Sequence, residues 1–181
     1  IQILIHTKSF MRYFVDEFNK ERMPDFENIT FQLFSLITQI IETQDLDSVS
    51  LEEFKDHFSE KFTVYNGFSQ HDSQEFLRCL VEEVGSNLNM AESRKFHKMD
   101  TNEKNPKKYN IEYDRCFGKS EDSIVIDFFY GQLFSTFSCL RCDNKIFSCE
   151  KFMDIPISLP TENKIGFDIK RLLENDFLGF E

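Results

Sequence analysis

Apolar residues follow a helical rhythm through the first half of the chain and gather into short runs in the second. Met11, Phe14, Val15 and Phe18 recur at helical spacing, as do Leu33, Phe34, Ile37, Ile40 and Ile41. The polar stretch Asn19–Glu27, with Pro24, separates these two predicted helices. A third begins at Ser50, where Ser50 and Glu53 form a capping-box pattern and Leu51, Phe54 and Phe58 share one face. Asn66–Gly67 marks a turn. After Asp72 comes the strongest helical pattern: Phe76, Leu77, Leu80, Val81, Val84 and Leu88 make the apolar stripe, with Glu75, Arg78, Glu82 and Glu83 on the other side.

The rhythm then breaks. Asn89 to Asn110 is polar and reads as a surface insertion, disordered in character. Ser123–Phe129 is rich in Ile, Val and Phe and predicts a buried strand; Leu133–Ser138 and Lys145–Met153 predict two more. Asp154–Pro160 reads as extended, its two prolines suiting a sheet edge, and Ile169–Leu173 as a short helix. Helices first and antiparallel strands afterwards, without an internal repeat, predict an α+β fold. The divisions fall at 1–88 (helical), 89–122 (polar insertion) and 123–181 (β-rich).

Composition sharpens this only in places. The 181 residues include 22 Phe and no Trp, and because most Phe occupy periodic apolar positions they are expected in the core. A formal net charge of −11 disfavours binding to phosphate backbones, so no nucleic-acid partner is expected. No apolar run approaches the roughly 20 residues that span a bilayer, and the opening residues lack the basic leader of a signal peptide. No membrane association is expected. Five cysteines, two of them spaced C-x-x-C, point to free thiols and metal in a reducing compartment rather than a disulfide framework.

Two segments carry candidate chemistry. Asp72 stands where a helix begins, and a carboxylate there accepts backbone N–H groups and faces the positive end of the helix dipole; Ser69 is its competitor as the cap. Cys139-Leu140-Arg141-Cys142 supplies two thiolates that can clamp one metal ion. A structural zinc takes four ligands, and this pair gives two. A redox dithiol or two packed thiols are the alternatives, and the strand-rich surroundings favour zinc. No cysteine has the setting of a nucleophile, which wants a helix N-terminus and a neighbouring His. Cys79 falls in mid-helix, Cys116 follows an acidic loop and Cys149 falls within a strand. His6, His57, His71 and His97 have no partner motif.

The string QHDSQEFL with its helix (Ser69–Val84), then SIVIDFFYGQLFSTFSCLRC (Ser123–Cys142) running into FMDIPISLP (Phe152–Pro160), closely resembles the middle of the ubiquitin-specific protease family of papain-like cysteine proteases. The resemblance implies a partial papain-like domain, a helical thumb followed by β fingers. It implies that Gln70, Asp72 and Glu75 bind the extended, arginine-containing tail of ubiquitin, where a carboxylate forms charge-assisted hydrogen bonds. It places Cys139 and Cys142, after the strand bearing Gly131, Gln132 and Ser135, in a structural zinc site completed by a second pair expected near Asn175–Glu181, with Cys149 or Cys116 as unpaired substitutes. Ile1-Gln2-Ile3-Leu4 and the following HTKSFMRYF resemble the stretch just after the family's nucleophile, so that nucleophile is expected before Ile1 and the catalytic His beyond Glu181. The expected parent is an intracellular (cytoplasmic or nuclear), monomeric deubiquitinase that hydrolyses the isopeptide bond at ubiquitin's C-terminus. There a Cys thiolate attacks the carbonyl, a His acts as base then acid, and an oxyanion hole holds the intermediate. This chain holds no catalytic residue of its own on that reading and is expected to be inactive alone. The alternatives are an inactive ubiquitin-binding homologue and a zinc-ribbon interaction module.

Overall fold

Phe58 shows how the helical half is built. It is 2% exposed on a helix, and the rings of Phe54, Phe62, Tyr65 and Phe76 surround it at centroid distances of 5.9, 4.7, 5.3 and 4.8 Å. In the computed structural model, which describes residues 1–17, 28–43, 49–91, 93, 95, 99, 103–159 and 168–177, this cluster belongs to one helical core. The elements are α1 (Gln2–His6), α2 (Lys8–Arg12) continuing into a π-turn (Tyr13–Glu17), α3 (Ile29–Thr43), α4 (Glu52–Lys61) with a 3-10 turn (Thr63–Tyr65), α5 (Ser73–Asn87), α6 (Pro106–Gly118), α7 (Ile124–Phe129), β1 (Gly131–Ser138), β2 (Lys145–Phe152) and α8 (Ile169–Phe177). The fold is α+β, with helices followed by a two-stranded antiparallel sheet.

The predicted stripes hold at their centres and fail at their margins. Phe14, Leu33, Ile37, Phe54, Leu80, Val81 and Val84 are buried in the core, while Val15 and Ile41 are exposed. Each of these two occupies the outer edge of its stripe, where a helix face turns to solvent. Phe18 and Asn19–Glu27 lie outside the described residues. The capping box at Ser50 is displaced: α4 begins at Glu52 with Leu51 at the cap position and no side-chain cap bond, and Ser50 Oγ accepts the N–H of Glu52 at 3.3 Å rather than that of Glu53.

Two predicted elements are corrected. Ser123–Phe129 is not a strand: after the extended Ser123, residues Ile124–Phe129 form α7. A short apolar run suits a buried helix turn as well as a buried strand. Here α5 decides, because Gly85 leaves room for Val125 against it; a Cβ on Gly85 would stand 3.2 Å from Val125 Cγ1. Nor is the span 89–122 simply a polar insertion. Asn105 Oδ1 accepts the N–H groups of Lys107 and Lys108, Pro106 supplies the first helical position, and α6 follows. Tyr109, Tyr113 and Cys116 turn inward while Ile111 stays exposed; the Tyr109 ring meets Phe147 at 5.7 Å and Phe134 at 6.3 Å on the sheet. Residues 92, 94, 96–98 and 100–102 lie outside the description.

Strands β1 and β2 pair from Gly131↔Phe152 to Ser138↔Lys145. The face carrying Phe134, Phe147 and Cys149 packs on α6, aided by Gln132 Nε2 donating to Asn110 Oδ1 (2.6 Å) and Lys151 to Asp114 (2.9 Å). Gly131 is required where the Phe152 ring lies across the backbone, since a Cβ there would fall 2.4 Å from the ring. Asp154–Leu159 forms no strand, so the expected sheet edge is not found among the described residues; Pro160 is outside the description. The last helix is longer than expected, reaching Phe177.

Candidate functional site

Asp72 adopts an extended conformation (φ −70°, ψ 125°) and ends the loop before α5. Its Oδ1 accepts the N–H of Gln74 at 2.7 Å and of Glu75 at 3.2 Å, so Asp72, not Ser69, is the cap. Both bonds use one oxygen. Among the described residues Oδ2 has no hydrogen-bond partner, and the whole stretch from Ser69 to Glu75 is exposed. The cap therefore occupies half of the carboxylate and leaves the other half to solvent. The helix dipole adds to this, because the first turn favours an anion at Asp72 and at Glu75. Gln70, Asp72 and Glu75 are each exposed around the start of a helix that buries Leu80, Val81 and Val84 in the core.

Sequence reasoning missed Tyr65, which stands behind this surface. The Tyr65 hydroxyl donates to Cys79 Sγ at 4.0 Å, and the His71 ring meets its ring edge-on at 5.1 Å. Burial, then the Cys79 contact and the negative charges of Glu75 and Asp72, push its phenol up to about 12 from an ordinary 10.0. Its neighbouring Asn66–Gly67 turn was the only signal for it in the sequence. Gln74 and Asp154 were also missed: the Gln74 amide donates to Asp154 Oδ2, joining α5 to the segment after β2.

The C-x-x-C pair sits at the tip of the β1–β2 hairpin. Cys139 N donates to Asn144 O and Asp143 N to Cys139 O, both at 2.9 Å, and Asp143 takes the left-handed conformation (φ 57°) that closes the turn. The N–H groups of Arg141 and Cys142, then the Cys142 thiol, hold the Cys139 thiol below its ordinary range. Such a turn stabilises a thiolate and presents two exposed sulfurs, which fits half of a tetrahedral metal site. Among the described residues no three His, Cys, Asp or Glu side chains gather around a common point. The substitutes fail physically. Cys149 lies four residues along β2 from Lys145, roughly 13 Å at about 3.3 Å per residue, and faces α6. Cys116 is buried on α6. Burial raises both thiols, while Cys116 Sγ bonds Glu112 (3.6 Å) and Cys149 Sγ bonds Asn110 (3.4 Å). The region expected to hold the second pair, Asn175–Glu181, lies largely outside the described residues.

No cysteine is hydrogen-bonded to a histidine among the described residues. His6 Nδ1 and His57 Nδ1 each bond a carbonyl of their own helix, at 2.8 and 2.9 Å. His97 is outside the description. No helix among the described residues is long and apolar enough to cross a membrane.

Comparison with known proteins gives the kinship. The chain is 29% identical over 164 residues to ubiquitin carboxyl-terminal hydrolase Usp2 of Drosophila melanogaster, covering 91% of this chain and 17% of that protein. It is 29% identical over 175 residues to the probable ubiquitin carboxyl-terminal hydrolase 1 of Schizosaccharomyces pombe (91% and 20%). To ubiquitin carboxyl-terminal hydrolase 2 of Gallus gallus it is 31% identical over 129 residues (70% and 36%). The chain thus spans about a fifth of the length of the first two. The family model described as ubiquitin carboxyl-terminal hydrolase matches residues 1–172, and the chain belongs to that family.

Proposed function

We propose that this chain forms the substrate-tail wall and part of the fingers of a deubiquitinating cysteine protease. The carrying observation is the divided carboxylate of Asp72, one oxygen closing the helix and the other open to solvent beside Glu75 and Gln70. A tail that is extended and basic suits this surface, because an arginine N–H donates a charge-assisted bond to the carboxylate oxygen that the cap leaves open. The relatives are named ubiquitin carboxyl-terminal hydrolases, which supports ubiquitin and ubiquitinated proteins as the partners and hydrolysis at ubiquitin's C-terminus as the reaction.

The residues of this chain bind and orient; the nucleophile comes from elsewhere in the protein. Cys116 and Cys149 are buried with raised thiols, Cys79 faces Tyr65, and Cys139 lies at the hairpin tip. Cys139 and Cys142 would hold a structural zinc together with two further ligands, the ion fixing the hairpin end. The protein acts as a monomer in the cytoplasm or nucleus.

In the full-length protein, cleavage of a fluorophore from ubiquitin's C-terminus tests the reading. Asp72→Ala should lower kcat/KM at least tenfold, the loss of roughly 1.4 kcal/mol of transition-state binding or more. Near-wild-type kcat/KM would remove Asp72 from the site. The isolated chain should not react with a ubiquitin probe bearing a C-terminal electrophile. Labelling of Cys79 or Cys116 would show that the nucleophile lies within it.

A further inference from the structure

Gln74 lies between Asp72 and Glu75 in sequence and is tied at both ends. Its backbone N–H makes the shorter of the two bonds to Asp72, and its side-chain amide donates to Asp154, eighty residues along the chain. Arg78, one turn further along α5, is held more firmly protonated by its bond to Glu82 and, further, by the charge of Asp154. Asp154 follows Met153, which packs against the helical core. The base of the hairpin is therefore fastened at two consecutive residues, Met153 by apolar packing on the helical core and Asp154 by a charge-assisted hydrogen bond to α5. The first contact contributes to stability. The second is exposed, and exposed polar links contribute little to stability while still fixing geometry.

We propose that Asp154 is a positioning residue for the tail-binding surface. Through Gln74 it holds the first turn of α5 against the hairpin base, so that a substrate tail meets a single arrangement of Asp72 and Glu75. The proposal rests on the reading of that surface given above. Pre-arranging a binding surface lowers the ordering cost of association, so its loss falls on substrate capture and leaves the chemical step alone.

Steady-state hydrolysis of the ubiquitin–fluorophore by the full-length protein, with ubiquitin affinity measured by anisotropy in parallel, tests it. Asp154→Ala should raise KM and Kd about fivefold to tenfold, as for one lost bond to a charged group, and leave kcat within about twofold. Its Tm should stay within about 2 °C. Asp154→Asn keeps a carbonyl that accepts the Gln74 amide and should recover most of the affinity. Gln74→Leu should match Asp154→Ala, and the double variant should be no worse than either. Unchanged KM and Kd in Asp154→Ala would overturn the proposal. So would an Asn variant as impaired as the Ala variant, which would make Asp154 a direct charge contact. A large fall in Tm with an equal fall in kcat would reduce its role to folding. A wild-type protein that neither binds nor cleaves ubiquitin would overturn both this proposal and the reading of the surface. Wild-type function with an unaffected Asp154→Ala would overturn this proposal alone.

Discussion

The two segments that carry chemistry stand on opposite kinds of support. The Asp72 surface opens α5, whose inner face places Leu80, Val81 and Val84 in the main core. The Cys139–Cys142 turn ends a two-stranded hairpin whose last apolar pair before the tip, Phe137 and Ile146, is 61% and 62% exposed. A turn at the end of a core helix is held by everything that packs the helix. A turn at the end of a two-stranded ribbon is held by its own backbone bonds, since such ribbons are marginal unless something packs on them. Here α6 covers one face of the ribbon near its base. A binding surface for an extended peptide profits from the first support. A metal ion can supply the order that the second lacks.

The largest effect that would break this contrast lies in the core. Phe58→Ala, at the centre of four aromatic rings, should cost about 3–5 kcal/mol in urea unfolding, whereas Phe137→Ala at the exposed end of the hairpin should change stability by no more than about 0.5 kcal/mol. Comparable losses at the two positions would mean that the ribbon and the core unfold as one evenly packed body.

Next comes the cap. Asp72→Ala should lower stability by about 1 kcal/mol by freeing the N–H groups of Gln74 and Glu75. Chemical denaturation that finds no loss would mean that solvent satisfies these donors equally well.

Alkaline pH probes the region behind the cap. The Tyr65 phenol is raised in the folded state, so the unfolded chain loses its proton first as pH rises. The stability contributed by the neutral phenol is complete below about pH 10 and is lost progressively towards about pH 12. Tyr65→Phe should flatten the fall in Tm across that window. An unchanged slope would assign the fall to Tyr109, Tyr113 and Tyr130, whose phenols burial also raises.

The smallest expected effect on stability is at the hairpin tip. Cys139→Ser should abolish zinc measured by elemental analysis of the full-length protein and leave the helical core's Tm within about 2 °C. Well-folded wild-type protein without zinc would remove the metal from the account. A large fall in Tm would show that the tip supports the core.

The sequence made the helical half readable because its apolar positions repeat with the period of the helix and because Phe is confined largely to those positions. Asp72 was legible as a cap for the same local reason. The failures are equally physical. Ile124–Phe129 is too short for its period to separate strand from helix, and Gly85 on α5, distant in sequence, settles the matter. Helix α6 was hidden by its lysines and asparagines, although Asn105-Pro106 and the pair Tyr109 and Tyr113 mark its start and its buried face. Tyr65 and Asp154 reach the site through contacts across 14 and 80 residues, which no local pattern contains.

Asp72→Asn tests the divided carboxylate most directly. Asparagine keeps an oxygen for the N–H groups of Gln74 and Glu75 and replaces the open oxygen with an uncharged amide. The account predicts a Tm within about 2 °C of wild type together with a Kd for ubiquitin weakened about tenfold. Wild-type affinity in a well-folded Asp72→Asn protein would contradict it, leaving Asp72 a helix cap and nothing more.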